Sequence, residues 1–172
     1  QRVKTMPSKR INKKLNNKIY FVTLTIKNWH YIFDRHNRWK IIIDSLKYCI
    51  KHKELTIYGY VLMLNHIHLI FKSKDAIGFI RDFKKYTSKE LFKNLEQTEP
   101  KVAKLFISKE GSVEIWKKTN MPIIIETEKI YWQKKNYIEN NPVMKGYVEK
   151  PEHWIHSSAF EPNLIDFGDI YV

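Results

Sequence analysis

Cysteine is nearly missing from this chain of 172 residues: Cys49 stands alone. A single thiol makes no intrachain disulfide and no cysteine-based zinc knuckle, so a reducing compartment and a small buried apolar residue are expected. Glycine is scarce too, with 5 residues, and no phosphate-binding loop pattern occurs. Long apolar runs are lacking. The most apolar stretch, 57–71, is broken by Asn65, His66 and His68 and is shorter than the roughly 18 residues a membrane span needs. No secretory apolar segment follows the basic N-terminus, so the expectation is a soluble cytoplasmic protein with no membrane partner. Acidic residues are outnumbered, 18 against 31 Lys and Arg, for a formal net charge of +13. That excess favours a polyanionic partner. The basic residues run from Arg2 to Lys150 interleaved with Trp and Tyr, instead of filling one amphipathic helix, and this pattern favours nucleic acid over a membrane surface.

The 43% of hydrophobic residues is enough for a core, and the length suits one domain. Residues 1–18 read as a basic arm. Ile19 to Ile26 is β-branched and aromatic and reads as a buried strand. Arg38 to His52, preceded by Asn37, has helical spacing at Ile42, Leu46 and Cys49. Leu55 to Met63 and His66 to Lys72 form an antiparallel hairpin, and a second helix runs from Asp75 or Gly78 to Asn94. Ser112 to Trp116 is a candidate fourth strand and Met121 to Glu126 a further extended piece. Thr127 to Asn140 reads as helix, with Asn140 and Asn141 as caps and Pro142 as the stop. This order is that of an α+β, ferredoxin-like split βαβ: an antiparallel sheet with helices on one side and a C-terminal helical extension. The main domain is 19–160. Residues 161–172 turn acidic (Glu161, Asp166, Asp169) and read either as a segment lying over the basic surface in competition with DNA or as an ordinary solvated terminus.

The chemistry-bearing feature is His66-Ile67-His68. In a strand, residues two apart share a face, so both imidazoles can converge on one ion while Ile67, Leu69 and Phe71 pack into the core. Taken alone, the pair fits two polar residues on a solvated face equally well. Tyr86 lies on the following helix with Glu90 one turn on, flanked by Lys85 and Lys89. These read as a nucleophile with phosphate binders, against the plainer reading of Tyr86 as a half-exposed packing aromatic.

The stretches VLMLNHIHLIF (61–71), FKKYTSKEL (83–91), Trp116, YIENNPVMKGYV (137–148) and HWIHSSA (153–159) together resemble the HUH single-tyrosine transposases, of the REP-associated type within the IS200-like superfamily. The resemblance implies an HUH endonuclease fold and a transposase that cleaves and joins single-stranded, hairpin-associated DNA through a 5′-phosphotyrosine. It assigns His66 and His68 as ligands of a divalent ion, magnesium or manganese, and Tyr86 as nucleophile. The third ligand is the polar residue one turn past the tyrosine. That is Glu90 here, a carboxylate where the family leads one to expect an amide. The donor set would also hold zinc. The length of the C-terminal part implies a monomer with its site completed in cis, with a dimer as the other arrangement.

A phenol with a pKa near 10 needs help to lose its proton at neutral pH, which agrees with a metal beside it. Lys84, Lys85, Lys89, Lys117, Lys118, Lys134 and Lys135 are the candidate phosphate contacts. Trp116, Trp132, Tyr137 and Trp154 are candidates for stacking on unpaired bases, with core packing the competing role. The rival function is a non-catalytic or domesticated nucleic-acid-binding ferredoxin-like module. A relaxase or rolling-circle initiator fits less well: relaxases usually place the tyrosine near the N-terminus and use a third histidine, and neither is seen here.

Overall fold

Strict apolar alternation in one central strand sets the architecture. In β3 (His66–Lys72), Ile67, Leu69 and Phe71 face one side and His66, His68 and Ile70 the other. The structure is a computed structural model that describes residue 11 and residues 16–168. The expected arm at 1–18 therefore lies largely outside the described residues, as does Asp169. β1 (Ile19–Thr25) pairs antiparallel with β3, β2 (Thr56–Leu62) flanks β3, and the short β4 (Ile123–Ile124) flanks β1, giving the order β2-β3-β1-β4. The fourth strand thus comes from the 121–126 segment. Residues 112–116 make only the isolated bridges Ile107 to Val113 and Ile26 to Trp116.

α1 (Arg38–His52) and α2 (Ala76–Thr98) pack together on the face of Ile67, Leu69 and Phe71. Asp75 caps α2 by accepting from the Gly78 amide at 2.9 Å. Asn37, by contrast, takes a left-handed conformation (φ 58) and makes no capping bond to α1. A short helical turn, α3 (Pro100–Ala103), follows α2. Arg38 is fully buried and locks α1 to the end of α2, donating to Asn94 Oδ1, Ile32 O and Thr98 Oγ1 and pairing with Glu99 at 2.6 Å. Among the described residues no helix is long and apolar enough to cross a membrane.

α4 (Glu128–Met144) covers the opposite face through Tyr131 and Ile138, against Phe21, Val61 and Ile70. The helix runs through Pro142, which forfeits one intrahelical bond near the end. The true stop is Gly146, whose φ of 74 supplies the left-handed turn that closes many helices. The expected cap at Asn141 is accordingly an interior helical residue.

Leu62 and Ser158 donate their amides to His156 O and Tyr60 O, and Gly168 donates to Ile57 O, so residues 156–168 strap the free edge of β2. The expected competing or solvated tail is corrected over its described part: Ile165 is fully buried, and Leu164 and Phe167 pack against the same core. Apolar residues interleaved with the acids anchor it, and the sheet edge is shielded from pairing.

A bulge at Tyr58 resets the β2 register, leaving Gly59 under α4. A Cβ there would meet Ile138 Cδ1 and Ile70 Cδ1 at 3.5 Å and Lys135 Cγ at 3.6 Å, an ordinary contact distance. Gly59→Ala should fold normally. Gly59→Val should overpack this interface and cost about 1–3 kcal/mol in urea denaturation.

Candidate active site

His66 and His68 sit on the α4 face of the sheet, opposite Thr25 and Thr23 of β1, with their rings 4.8 Å apart. Each has one nitrogen tied. Asn65 donates its amide to the Trp29 carbonyl at 2.9 Å, so its oxygen faces His66 Nδ1 at 2.7 Å. A carbonyl only accepts. Nδ1 of His66 therefore carries the proton, and its Nε2 keeps a lone pair. His68 Nδ1 lies 2.9 Å from the Thr23 hydroxyl, and Phe21 stacks on its ring. With Thr23 accepting, Nε2 of His68 also bears a lone pair. Burial pushes His66 down to about 4, helped by nearby Lys145, and His68 down to about 3, helped by His66 and Lys134. Both imidazoles are neutral at neutral pH.

Of the tyrosines lining this cleft, Tyr137 is the one packed against His68. Its ring centroid is 5.7 Å from that of His68, and it lines a cavity of about 380 Å³ together with His66, His68, Asn141 and Lys145. Tyr86 does not reach it. α2 packs on the apolar face of β3, so Tyr86 and Glu90 lie across the sheet from the histidines. Tyr86 instead lines a groove with Asp44, Tyr48, Cys49 and His52 of α1, which corrects the expected pairing of Tyr86 with His66 and His68. The same correction removes Glu90 from the ligand set. Asn141, one turn past Tyr137, puts an amide where an amide is expected. Its Oδ1 and His68 Nε2 are buried with no hydrogen-bond partner among the described residues. No group of three or more His, Cys, Asp or Glu residues among the described residues could hold a metal. The donor set that does converge is two imidazoles and an amide oxygen, and its orphaned atoms fit a cation.

No protein-family model and no curated protein matches the chain. A solved REP-associated tyrosine transposase bound to a REP hairpin is 17% identical, with a TM-score of 0.67 over 96% of this chain and 99% of that one. The chain has the fold of that transposase. At this identity the likeness is one of fold. A candidate transposase from Deinococcus radiodurans (15% identical, TM-score 0.48, 77% of this chain and 97% of that one) and a bacterial tRNA(His) guanylyltransferase-like protein in complex with GTP (7%, 0.43, 80% and 68%) are more distant, and neither carries weight.

The candidate phosphate contacts divide. Lys84, Lys85, Lys89, Lys117 and Lys118 line one open groove of about 1570 Å³ between α2 and residues 113–120, with Arg81 and Lys93. Lys84 donates to Lys117 O at 2.6 Å, and burial lowers it to about 8. Lys117 borders the histidine cleft as well. Lys134 lies beside Phe21 and His68. Lys135 is buried against Tyr131, Trp132 and Phe167, which corrects its expected phosphate role: its stem and ammonium serve α4 packing.

Of the expected stacking aromatics, Trp116 is a core residue donating to Thr87 Oγ1 at 3.0 Å. Trp132 is half exposed and donates to Glu128. Trp154 donates to Leu62 O and stacks on Tyr147 at the cleft margin. Trp29, Tyr31 and Tyr147 line the cleft and were not singled out by the sequence reading. Beside Trp154, His156 packs on Trp39 at 3.9 Å with Nδ1 buried and without a hydrogen-bond partner among the described residues, and burial lowers it to about 4. Between the unfolded value near 6.5 and about 4, the unfolded chain binds this proton and the folded chain does not. Stability should therefore fall as pH drops through that window. His156→Leu should flatten the decline in melting temperature measured from pH 7 to pH 4.

Proposed function

We propose that the protein is a DNA strand-cleaving and strand-joining enzyme of the single-tyrosine transposase kind, with Tyr137 as nucleophile, acting on single-stranded, hairpin-associated DNA. The observation that carries this is the convergence of Tyr137, His66, His68 and Asn141 on one cleft bordered by Lys117 and Lys145. The hairpin carried by the solved transposase of the same fold, the basic groove beside the cleft, and the motif resemblance all support it. In this reading the protein acts as a monomer with its site completed in cis.

In this reading the Tyr137 oxygen attacks the backbone phosphorus and the bond to the 3′-oxygen breaks. A 5′-phosphotyrosine forms, the phenol proton leaves to solvent, and the departing 3′-oxygen takes up a proton. Attack by a free 3′-hydroxyl on the phosphotyrosine reverses these bonds and rejoins DNA without any external energy source. His66, His68 and Asn141 would hold a divalent ion, magnesium or manganese. When bound, that ion polarises the phosphate and offsets its developing charge. Asn65 and Thr23 orient the imidazoles, and Lys145 offers a positive charge at the cleft. The open groove gives the lysines of α2 and 113–120 a course for the sugar-phosphate backbone.

Incubation of the protein with a hairpin oligonucleotide carrying an unpaired flank, in magnesium or manganese, should give a covalent adduct resolvable on a denaturing gel. Tyr137→Phe should abolish the adduct with binding kept, while Tyr86→Phe should form it normally. An adduct that persists in Tyr137→Phe sinks the assignment, and a wild-type protein that binds but never forms one leaves a binding module. Lys89→Ala and Lys118→Ala should each weaken binding about equally for all sequences and reduce the slope of log affinity against log salt by about 1.

A further inference from the structure

The turn Lys27–Trp29 leaves β1 beside the cleft, and its backbone is strained. Asn28 (φ 55) and Trp29 (φ 54) are both left-handed. Asparagine tolerates that conformation, whereas for a bulky residue it is an outlier that only surrounding contacts sustain. Those contacts are present. The Trp29 amide donates to Ile26 O, the Lys27 amide donates to Ile115 O, and the Lys27 side chain pairs with Glu114. The Trp29 carbonyl accepts from Asn65, the same amide that orients His66. The outcome is an indole held 62% exposed, with the Lys117 ammonium 3.0 Å from its ring centroid.

A strained backbone spent on keeping a tryptophan in solvent calls for an occupant. One ring face is covered by a cation, and most of the residue is open to solvent. Tyr31 and Tyr147 line the same cleft, and among the described residues no carboxylate lines it. A planar ring attached to an anion fits this surface, and a nucleobase with its phosphate is such a group.

We propose that Trp29 is the stacking platform for an unpaired base beside the cleaved phosphate, with Lys117 facing that nucleotide's phosphate and Asn65 fixing the platform's distance from His66. This rests on the reading of the cleft as a single-stranded-DNA site, and it names the part of the substrate that sets the cleavage position.

The test compares a hairpin oligonucleotide with and without an unpaired flank bearing 2-aminopurine at successive positions, bound to the full chain in chelator. Adduct formation is scored separately in manganese. For wild type the flank should raise affinity by about tenfold, the scale of one stacked base, with fluorescence quenched at one position. Trp29→Ala should lose that gain and that quenching while binding the flankless hairpin as wild type does. Trp29→Phe, which keeps an aromatic ring, should retain most of both. If Trp29→Ala keeps the flank gain and the quenching while wild type still forms its adduct, the platform is overturned and the site reading stands. If wild type gains nothing from the flank and forms no adduct, the site reading fails and takes the platform with it.

Discussion

Everything at the candidate site depends on the two-residue alternation of β3 inside a sheet covered on both sides. Ile67, Leu69 and Phe71 are held by α1 and α2, and that packing leaves His66 and His68 no choice of face. The pair is buried enough to be neutral, and each ring is pinned through Nδ1, by Asn65 and by Thr23. A shift of one residue in the β1–β3 register would exchange the histidines with core residues, so the hydrophobic core and the placement of the histidines are one constraint.

Much of the fold was legible in the sequence for the same reason. α1 and β3 occupy the segments that helical spacing and alternation marked out, because in both the apolar period matches the element. The fourth strand was misplaced because residues 112–116 look extended yet contribute only bridges, and Trp116 is drawn into the core by Phe33, Phe83 and Thr87. The end of α4 was misjudged because a proline near a helix C-terminus costs one bond, and the packing of Ile138 and Tyr131 outweighs it.

The tyrosine proposed as nucleophile shows where sequence reading ran short and what signal it held. Spacing sets Tyr86 near the histidines along the chain. The alternation of β3, however, already implies that the helices of the split βαβ cover the Ile67 face, since that is the apolar one. No residue of α2 can then reach His66 and His68, and on the proposed reading the tyrosine comes from beyond that unit. Tyr137, with Asn141 one turn on, is the pair in the remaining helix that matches. Reading Pro142 as a stop hid Asn141 as a cap. The aromatic rim was hidden differently: Trp29 owes its exposure to a left-handed backbone that no local pattern announces.

Replacing Glu90 by Asn141 in the donor set changes the electrostatics of the cleft. A carboxylate would bring a full negative charge, whereas the described residues lining the cleft are imidazoles, amides, hydroxyls, aromatic rings and the aliphatic Met63, Leu64 and Met121, with Lys117 and Lys145 as the charged groups. Burial disfavours protonated histidines, with Lys145 adding to the effect at His66 and His66 and Lys134 at His68, so the imidazoles stay neutral and the lysines set the sign of the cleft's potential. On the proposed reading, a phosphodiester supplies the negative charge that the protein itself withholds. The attraction is then directed at substrate and is not spent on an internal ion pair. The basic groove along α2 extends the same potential away from the cleft through Lys117, which borders both. Part of the net charge of +13 is thereby gathered along the cleft and the groove, while the buried Lys135 serves packing.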